Sequence, residues 1–254
     1  MGVFAGKVRF GIKESRLAAR RCARTSAQAP TPPAPVPRWC KNLIGVLLLP
    51  ACFAAAATLW RVVRVSGNAE EFWVMFAVGF ACALVVFLLL PKPMLAYVFG
   101  HELTHVLWTW LCGGKVTKFK VSSAGGHVVV SKSNWLIALA PYFFPVYAAL
   151  VVAGYALGHW LWRWPADSWW FYAVLGASYG FHVVLTWHIL ESDQTDVSGQ
   201  GYLFSAVVMY LGNALVLVLG LPLLTNRVSV LTALHWWWQE LRLVCEAIRQ
   251  VIGA

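Results

Sequence analysis

Two histidines and a glutamate have the spacing of a catalytic zinc site. Residues 101–105 read His-Glu-Leu-Thr-His, an HExxH pattern. On an α-helix, residues four apart lie on one face, so His101 and His105 can bind one zinc ion while Glu102 acts as a general base toward water. The pattern predicts metal-assisted hydrolysis with one zinc ion per chain, His101 and His105 as metal ligands and Glu102 as the catalytic residue.

A third metal ligand must come from elsewhere in the chain, because a catalytic zinc ion takes three protein ligands and leaves a fourth position for water. The acidic segment from Glu191 to Asp196 contains two candidates, Asp193 and Asp196. Either could instead cap the helix that follows. His182 and His188 are further candidates, although a histidine in a membrane helix more commonly forms a hydrogen bond with a neighbouring helix.

The composition is that of a polytopic membrane protein. Hydrophobic residues make up 60% of the chain and charged residues 12%, whereas soluble domains contain about 45–50% apolar and about 25% charged residues. The net charge of +10 comes from basic residues in the N-terminal tail and in short connections. This distribution indicates a lipid bilayer and positive-inside topology, and not a nucleic-acid partner. The six cysteines have no CxxC spacing, so a cysteine-ligated zinc site is not expected.

Six apolar runs must position the motif, each long enough to cross a hydrocarbon core of about 30 Å. They are residues 42–60, 72–91, 94–112, 135–158, 168–190 and 202–224. The expected fold class is therefore an all-α polytopic membrane protein with HExxH in its third span. An ionised glutamate there costs about 3 kcal/mol on insertion scales and requires a partner or a function. An even number of spans places both termini on one side, and the basic tail assigns that side to the cytoplasm.

The remaining segments divide the chain further. Residues 1–41 are basic and proline-rich and are expected to form a disordered cytoplasmic tail, with an organelle transit peptide as the alternative. Residues 42–224 form the membrane domain, and residues 225–254 are expected to contain an amphipathic helix at the membrane surface. Residues 113–133, just after the HExxH helix, alternate as in a β-hairpin around Gly125-Gly126.

These features resemble the site-2 protease class of intramembrane zinc metallopeptidases, and in particular its compact bacterial branch without a PDZ domain. The resemblance covers residues 72–224. It rests on HExxH in a spanning helix, on residues 113–116 (Gly-Gly-Lys-Val) with the hairpin-like stretch after them, and on an aspartate at the start of a later span. It implies that Asp196 is the third metal ligand, with Asp193 as second choice. It also implies a multi-pass protein of the bacterial inner membrane.

The expected function is that of an intramembrane zinc metalloprotease, which cuts a transmembrane protein substrate within or beside the bilayer. The hairpin resembles the segment that aligns substrate as an added β-strand. One alternative is a zinc-binding membrane protein without proteolytic activity, in which Glu102 matters little. Another is a non-enzymatic membrane scaffold or a transporter, in which HExxH is only a polar cluster between helices. No internal repeat is apparent in the sequence, which counts against a transporter.

Overall fold

The described part of the chain begins just before the first apolar run. The computed structural model describes residues 36–122, 125–165, 167–191 and 194–253. Most of the predicted tail, residues 1–35, lies outside these ranges, as does the second-choice ligand Asp193. From Arg38 onward, the described residues form one compact unit.

Helices dominate the described residues, and a two-stranded sheet lies between the third and fourth of them. In chain order the elements are α1 (Arg38–Ser66), α2 (Glu70–Leu89), α3 (Met94–Leu111), β1 (Val116–Ser122), β2 (Gly125–Val130), α4 (Trp135–Phe143), α5 (Val146–Trp162), α6 (Trp169–Leu190), α7 (Thr195–Ser198), α8 (Tyr202–Thr225) and α9 (Val230–Ile252). Each predicted apolar run thus corresponds to a helix or to a pair of helices.

Four helices of the described residues are long and apolar enough to cross a membrane, namely α1, α2, α6 and α8. A fifth crossing is possible if α4 and α5 together form one bent span. The prediction of a helical membrane protein is confirmed to this extent. The prediction of six spans is not, because α3 is not among the qualifying helices. The polar side chains of its HExxH motif lower the apolar character of the helix.

A proline breaks the fourth apolar run into two helices. α4 and α5 meet at an angle of 74°, and Pro145, which has no N–H to donate, stands between them. The N–H of Val146 bonds to the carbonyl of Phe144, so it is not available to Tyr142 in a helical bond. Instead, the side-chain amide of Asn213 donates to the Tyr142 carbonyl at 3.0 Å. The fourth run is therefore bent at Pro145, and a partly buried amide from α8 satisfies the Tyr142 carbonyl.

Helices α1 and α8 pack side by side and run in the same direction. Near their starts, the ammonium of Lys41 donates to the side chain of Gln200 at 2.6 Å. Near their ends, the guanidinium of Arg227 donates to the carbonyl of Asn68 at 3.3 Å. These contacts define two ends of the bundle, called here the Arg38 end and the Asn68 end.

Helices α2 and α6 form a second parallel pair. The rings of Phe72 and Tyr172 are 5.2 Å apart near the helix starts, and those of Phe87 and Phe181 are 5.2 Å apart further along. Because α2 follows α1 through a tight connection, both α2 and α6 run from the Asn68 end toward the Arg38 end. Their backbones approach closely at glycine, since a Cβ at Gly176 would overlap the carbonyl of Phe76.

The two strands form an antiparallel hairpin at the predicted place. Phe119 pairs with Val128, Lys120 with His127, and Ser122 with Gly125. The hairpin connects the end of α3 to the start of α4, where the amide of Asn134 contacts the thiol of Cys112. The ring of Trp135 packs 5.8 Å from that of Phe204 at the start of α8. The hairpin therefore lies at the Arg38 end of the bundle.

The last described helix packs one face against α1. Ala233 is fully buried, and the guanidinium of Arg61 lies 4.2 Å from the centre of the Trp236 ring. The indole N–H of Trp237 donates to the carbonyl of Ala51. The opposite face of α9 carries exposed apolar and charged residues together. The position of this helix at the membrane surface stays a prediction.

Replacing Gly176 with alanine should destabilise the bundle, because the new methyl group forces α2 and α6 apart. Overpacking of this kind costs about 1–3 kcal/mol. The measurement is the thermal unfolding midpoint of the detergent-purified protein. Gly154→Ala is the matched control, since a Cβ at Gly154 meets open space. Equal midpoints for Gly176→Ala and wild type would show that the two helices do not pack through this glycine.

Candidate metal centre

One face of α3 carries three side chains at four-residue intervals, Tyr97, His101 and His105. The helix begins after Pro93, which cannot continue a preceding helix, and is followed by Gly113 in the left-handed conformation (φ 70°). Both imidazole side chains are largely buried, at 11% and 13% exposure. The helix therefore presents both imidazoles to the interior of the bundle, with their ring planes at 78° to each other.

Asp196 meets the two histidines from the other side. The Nε2 atoms of His101 and His105 are 3.2 Å apart. The Oδ2 atom of Asp196 lies 3.6 Å from the first and 3.5 Å from the second. Among the described residues, these three form the only group of three or more histidine, cysteine or acidic side chains whose ligand atoms converge.

The three distances suit a tetrahedral zinc ion. Zinc bonds of about 2.0–2.1 Å to nitrogen and oxygen place neighbouring ligand atoms about 3.3–3.4 Å apart. The observed separations of 3.2, 3.5 and 3.6 Å bracket that range. Two imidazoles and one carboxylate also form a ligand set that catalytic zinc uses, with the fourth position left for water. The residues present therefore fit zinc in both chemistry and spacing.

Each histidine is oriented by a contact to its other ring nitrogen. The Nδ1 atom of His105 lies 2.9 Å from the carbonyl oxygen of Ile137. A carbonyl can only accept, so this nitrogen carries the proton and leaves the Nε2 lone pair free for a metal. The Nδ1 atom of His101 lies 3.3 Å from the hydroxyl of Tyr97. Such outer contacts are a regular feature of metal-bound histidines.

The short helix α7 holds Asp196 in place. Its neighbour Val197 is buried in a cluster with Leu139 and Phe204, and the Ser205 hydroxyl donates to the Val197 carbonyl at 3.0 Å. Burial alone would raise the pKa of the Asp196 carboxyl, but the two facing imidazoles more than offset this, so that its pKa lies below the usual range. Asp196 does not cap α8, whose N-cap is Gly201.

Glu102 lies beneath the hairpin. Its side chain is 7% exposed. A Cβ built on Gly126 would stand 2.7 Å from the Cγ of Glu102 and 2.9 Å from its Oε1. The backbone of β2 therefore covers the carboxylate at a point where only glycine fits. The glycine pair in the sequence predicted a turn here, and it did not reveal this second reason for a glycine.

The two candidate histidines, His182 and His188, lie outside the group. His182 is buried on α6 beside the Thr186 hydroxyl. It lines, together with His101, a cavity of about 20 Å³, which is room for about one water molecule. His188 is more exposed and pairs with Glu191 at 3.4 Å. The described structure thus offers Asp196, and neither histidine, as the third ligand.

Tyr142 is a neighbour of the site that the sequence did not reveal. Its ring contacts that of His101 edge to face, with centroids 5.4 Å apart and planes at 85°. On its other side, Tyr142 helps to line a largely apolar cleft of about 390 Å³ between α2, α6 and α8. Tyr97, by contrast, could have been found in the sequence, because it stands four residues before His101 on the same helix.

Comparison of the chain with protein-family models, with curated proteins and with solved structures finds no match.

Zinc stoichiometry should identify the third ligand. Asp196→Asn is expected to lower zinc affinity by more than about 100-fold, because it removes an anionic ligand. Loss of a residue that only orients a ligand lowers the affinity by about 10–100-fold. His182→Ala and Asp193→Asn should keep one zinc ion per chain. The measurement is the metal content of each detergent-purified variant after reconstitution with zinc and dialysis, with helical content checked by circular dichroism. If His182→Ala or Asp193→Asn lost its zinc while Asp196→Asn kept it, the third ligand would be the residue whose replacement removed the metal.

Proposed function

We propose that this chain is a zinc-dependent metalloendopeptidase that cuts a peptide bond in a membrane-spanning protein. The observation that carries the proposal is the convergence of His101, His105 and Asp196, whose ligand atoms all lie within 4.8 Å of one another. Glu102 accompanies them on the same helix and is buried beside them. Two ligands, a third from a distant segment and a general base together form the minimal set for hydrolysis.

His101, His105 and Asp196 would hold the metal. When bound there, zinc supplies Lewis acidity that polarises a carbonyl group and makes water nucleophilic near neutral pH. The contacts of His101 with Tyr97 and of His105 with Ile137 would keep the two rings in position during the reaction. Three protein ligands would leave a fourth position for water or substrate.

Glu102 would carry the proton. The oxygen of water bonds to the carbonyl carbon while Glu102 takes the proton that water loses. The carbon–nitrogen bond then breaks, and Glu102 returns the proton to the leaving amine. The β2 backbone over Gly126 covers the carboxylate, so bulk water has little access to it. The covering strand would thus hold the Glu102 side chain in position inside an otherwise apolar bundle.

Two surfaces near the site suit a membrane-spanning substrate. The cleft of about 390 Å³ is lined largely by apolar side chains, including Leu88 and Trp187, which are exposed on the outer surface of the bundle. It offers an apolar segment a lateral approach toward Tyr142. The hairpin offers unpaired strand edges for an extended segment. The substrate helix must unwind locally, so helix-breaking residues near the cut are expected.

The helix directions favour five crossings over six. Because α1 and α8 run in the same direction, an odd number of crossings separates the start of α1 from the end of α8. The five candidates are α1, α2, the bent pair α4 and α5, α6, and α8. Helix α3 and the hairpin would then enter from the Arg38 end without crossing. This arrangement replaces the expectation that both termini share one side.

The five-crossing arrangement also agrees with the distribution of positive charge. Lys41 and the hairpin residues Lys115, Lys118 and Lys120 all lie at the Arg38 end, which would face the cytoplasm by the positive-inside rule. In the six-span arrangement the hairpin lysines face outward. The amphipathic helix α9 follows the Asn68 end and would lie against the opposite surface. The bacterial inner membrane is the location implied by the resemblance to compact site-2 proteases.

Cysteine labelling should distinguish the two arrangements. Five crossings place Ser131, beside the hairpin, and Asn68, between α1 and α2, on opposite sides of the membrane. Six spans place them on the same side. The measurement uses Ser131→Cys and Asn68→Cys in a chain whose native cysteines are serine, labelled with an impermeant maleimide in right-side-out and inverted vesicles. Labelling of both from one side would contradict the five-crossing arrangement.

Glu102→Gln should abolish cleavage and keep zinc. A lost general base lowers the rate by about 10²–10⁴, whereas the metal ligands are untouched. The assay co-reconstitutes the protein in liposomes with single-span model substrates that carry a Gly-Pro pair within the transmembrane helix. Zinc content is measured in the same samples. Glu191→Gln, at an exposed position, is the matched control and should cleave like wild type.

Two outcomes would count against the protease. If Glu102→Gln cleaved at the wild-type rate, the proposed mechanism would be wrong. If wild type bound one zinc ion and cleaved none of the substrates, a zinc-binding protein without proteolytic activity would be favoured. If neither wild type nor His101→Ala bound zinc, the scaffold alternative would be favoured.

A further inference from the structure

Tyr142 differs from the other buried tyrosines of the described chain in the state of its hydroxyl. Four tyrosines are buried, Tyr97, Tyr142, Tyr155 and Tyr172. The hydroxyl of Tyr97 contacts His101, that of Tyr155 donates to Ser168, and that of Tyr172 donates to Asp167. The Tyr142 hydroxyl is buried, and within the described residues no atom stands in hydrogen-bonding geometry with it. A buried hydroxyl without a partner loses its hydration and gains nothing in return.

The position of this hydroxyl is fixed by its surroundings. Tyr142 is only 1% exposed, and its ring packs edge to face on His101. Its carbonyl accepts a hydrogen bond from Asn213, which holds the backbone at the break between α4 and α5. The hydroxyl lies close enough to the carboxylate of Asp196 to interact with it, although outside hydrogen-bonding geometry. A rigid ring therefore directs an unused O–H group at the edge of the proposed metal centre.

A tyrosine hydroxyl at this place is a neutral donor. Unlike lysine or arginine, it brings no charge into the apolar bundle, and unlike a carboxylate it does not compete with Asp196 for the metal. In the proposed hydrolysis, the group that lacks a donor is the carbonyl oxygen of the scissile peptide, which becomes negative as water attacks. Donors aimed at such an oxygen act only when the charge develops, and so they raise kcat.

We propose that Tyr142 donates a hydrogen bond to the carbonyl oxygen of the scissile peptide in the transition state. This inference rests on the proposed proteolytic function. The water oxygen bonds to the carbonyl carbon, the carbonyl π electrons move onto the oxygen, and the Tyr142 O–H stabilises that charge without losing its proton. When the carbon–oxygen double bond re-forms, the carbon–nitrogen bond breaks. Glu102 supplies the proton that the amine gains.

Tyr142→Phe in the full-length protein tests the role, because it removes only the hydroxyl. The variant should have a kcat about 10²–10³-fold lower, a KM within about twofold of wild type, and unchanged zinc affinity. Its thermal midpoint should equal or exceed that of wild type, since no partner is left unpaired. Tyr202→Phe is the matched control, because it removes the hydroxyl of a tyrosine that is largely exposed, at 66%. It should match wild type in every readout.

A tetrahedral analogue provides a readout that does not require turnover. A phosphinic peptide carries negative oxygens where the scissile carbonyl would be, and it should bind zinc-loaded Tyr142→Phe at least tenfold more weakly than wild type. The uncleaved peptide without the phosphinate should bind both proteins equally. If wild type cleaves nothing and Glu102→Gln behaves identically, the proposed function has failed, and the phosphinate comparison still decides whether Tyr142 is a donor.

Three results would overturn the role of Tyr142. The first is a kcat for Tyr142→Phe equal to that of wild type. The second is equal phosphinate affinity in the two proteins. The third is a loss of zinc affinity in step with activity, which would show that the hydroxyl holds Asp196 instead and is a positioning group for the metal ligand.

Discussion

The meeting of three ligand groups inside an apolar bundle is the constraint on which the rest of the structure depends. Imidazole and carboxylate side chains lose hydration among apolar helices, and this loss is costly unless a partner compensates it. His101, His105 and Asp196 have few partners apart from one another, and their facing atoms are mostly acceptors. A bound cation would resolve the conflict. The surrounding contacts, from the Ile137 carbonyl to the Tyr97 hydroxyl, then serve to fix the direction of each ligand.

The helix directions bring these groups together. α3 contributes His101, His105 and Glu102, and α4 packs across it through Ile137 and Tyr142. α7 contributes Asp196 between α6 and α8. α6 ends, and α8 begins, at the Arg38 end, so the connection between them reaches the same level as α3. The far half of the bundle instead contains aromatic packing, such as the stack of Tyr155 on Phe171 at 3.9 Å. The candidate metal centre thus lies toward the Arg38 end of the bundle, and the aromatic packing lies toward the Asn68 end.

Much of the fold could be predicted from the sequence, because local signals determine it. The apolar run between Pro93 and Gly113 gave the limits of its helix within a few residues, and strand alternation gave the hairpin. The run 135–158 was predicted as one span and is two helices divided at Pro145. The number of crossings could not be predicted, since it depends on contacts such as Lys41 to Gln200 across 159 positions. In the site, four-residue spacing identified the two histidines. Tyr142 and Gly126 carry no such signal, because their roles arise from packing between segments distant in sequence.

The break at Pro145 has a consequence for how the molecule can move. A proline in a spanning helix often makes a hinge, because it leaves a carbonyl unpaired and the helix free to bend. Here the Asn213 amide occupies the Tyr142 carbonyl and also bonds to Met209 on its own helix. The break is therefore locked to α8 and acts as a rigid corner. Bending at this corner would break the Asn213 bond, so movement near the candidate metal centre is expected in elements without such a lock.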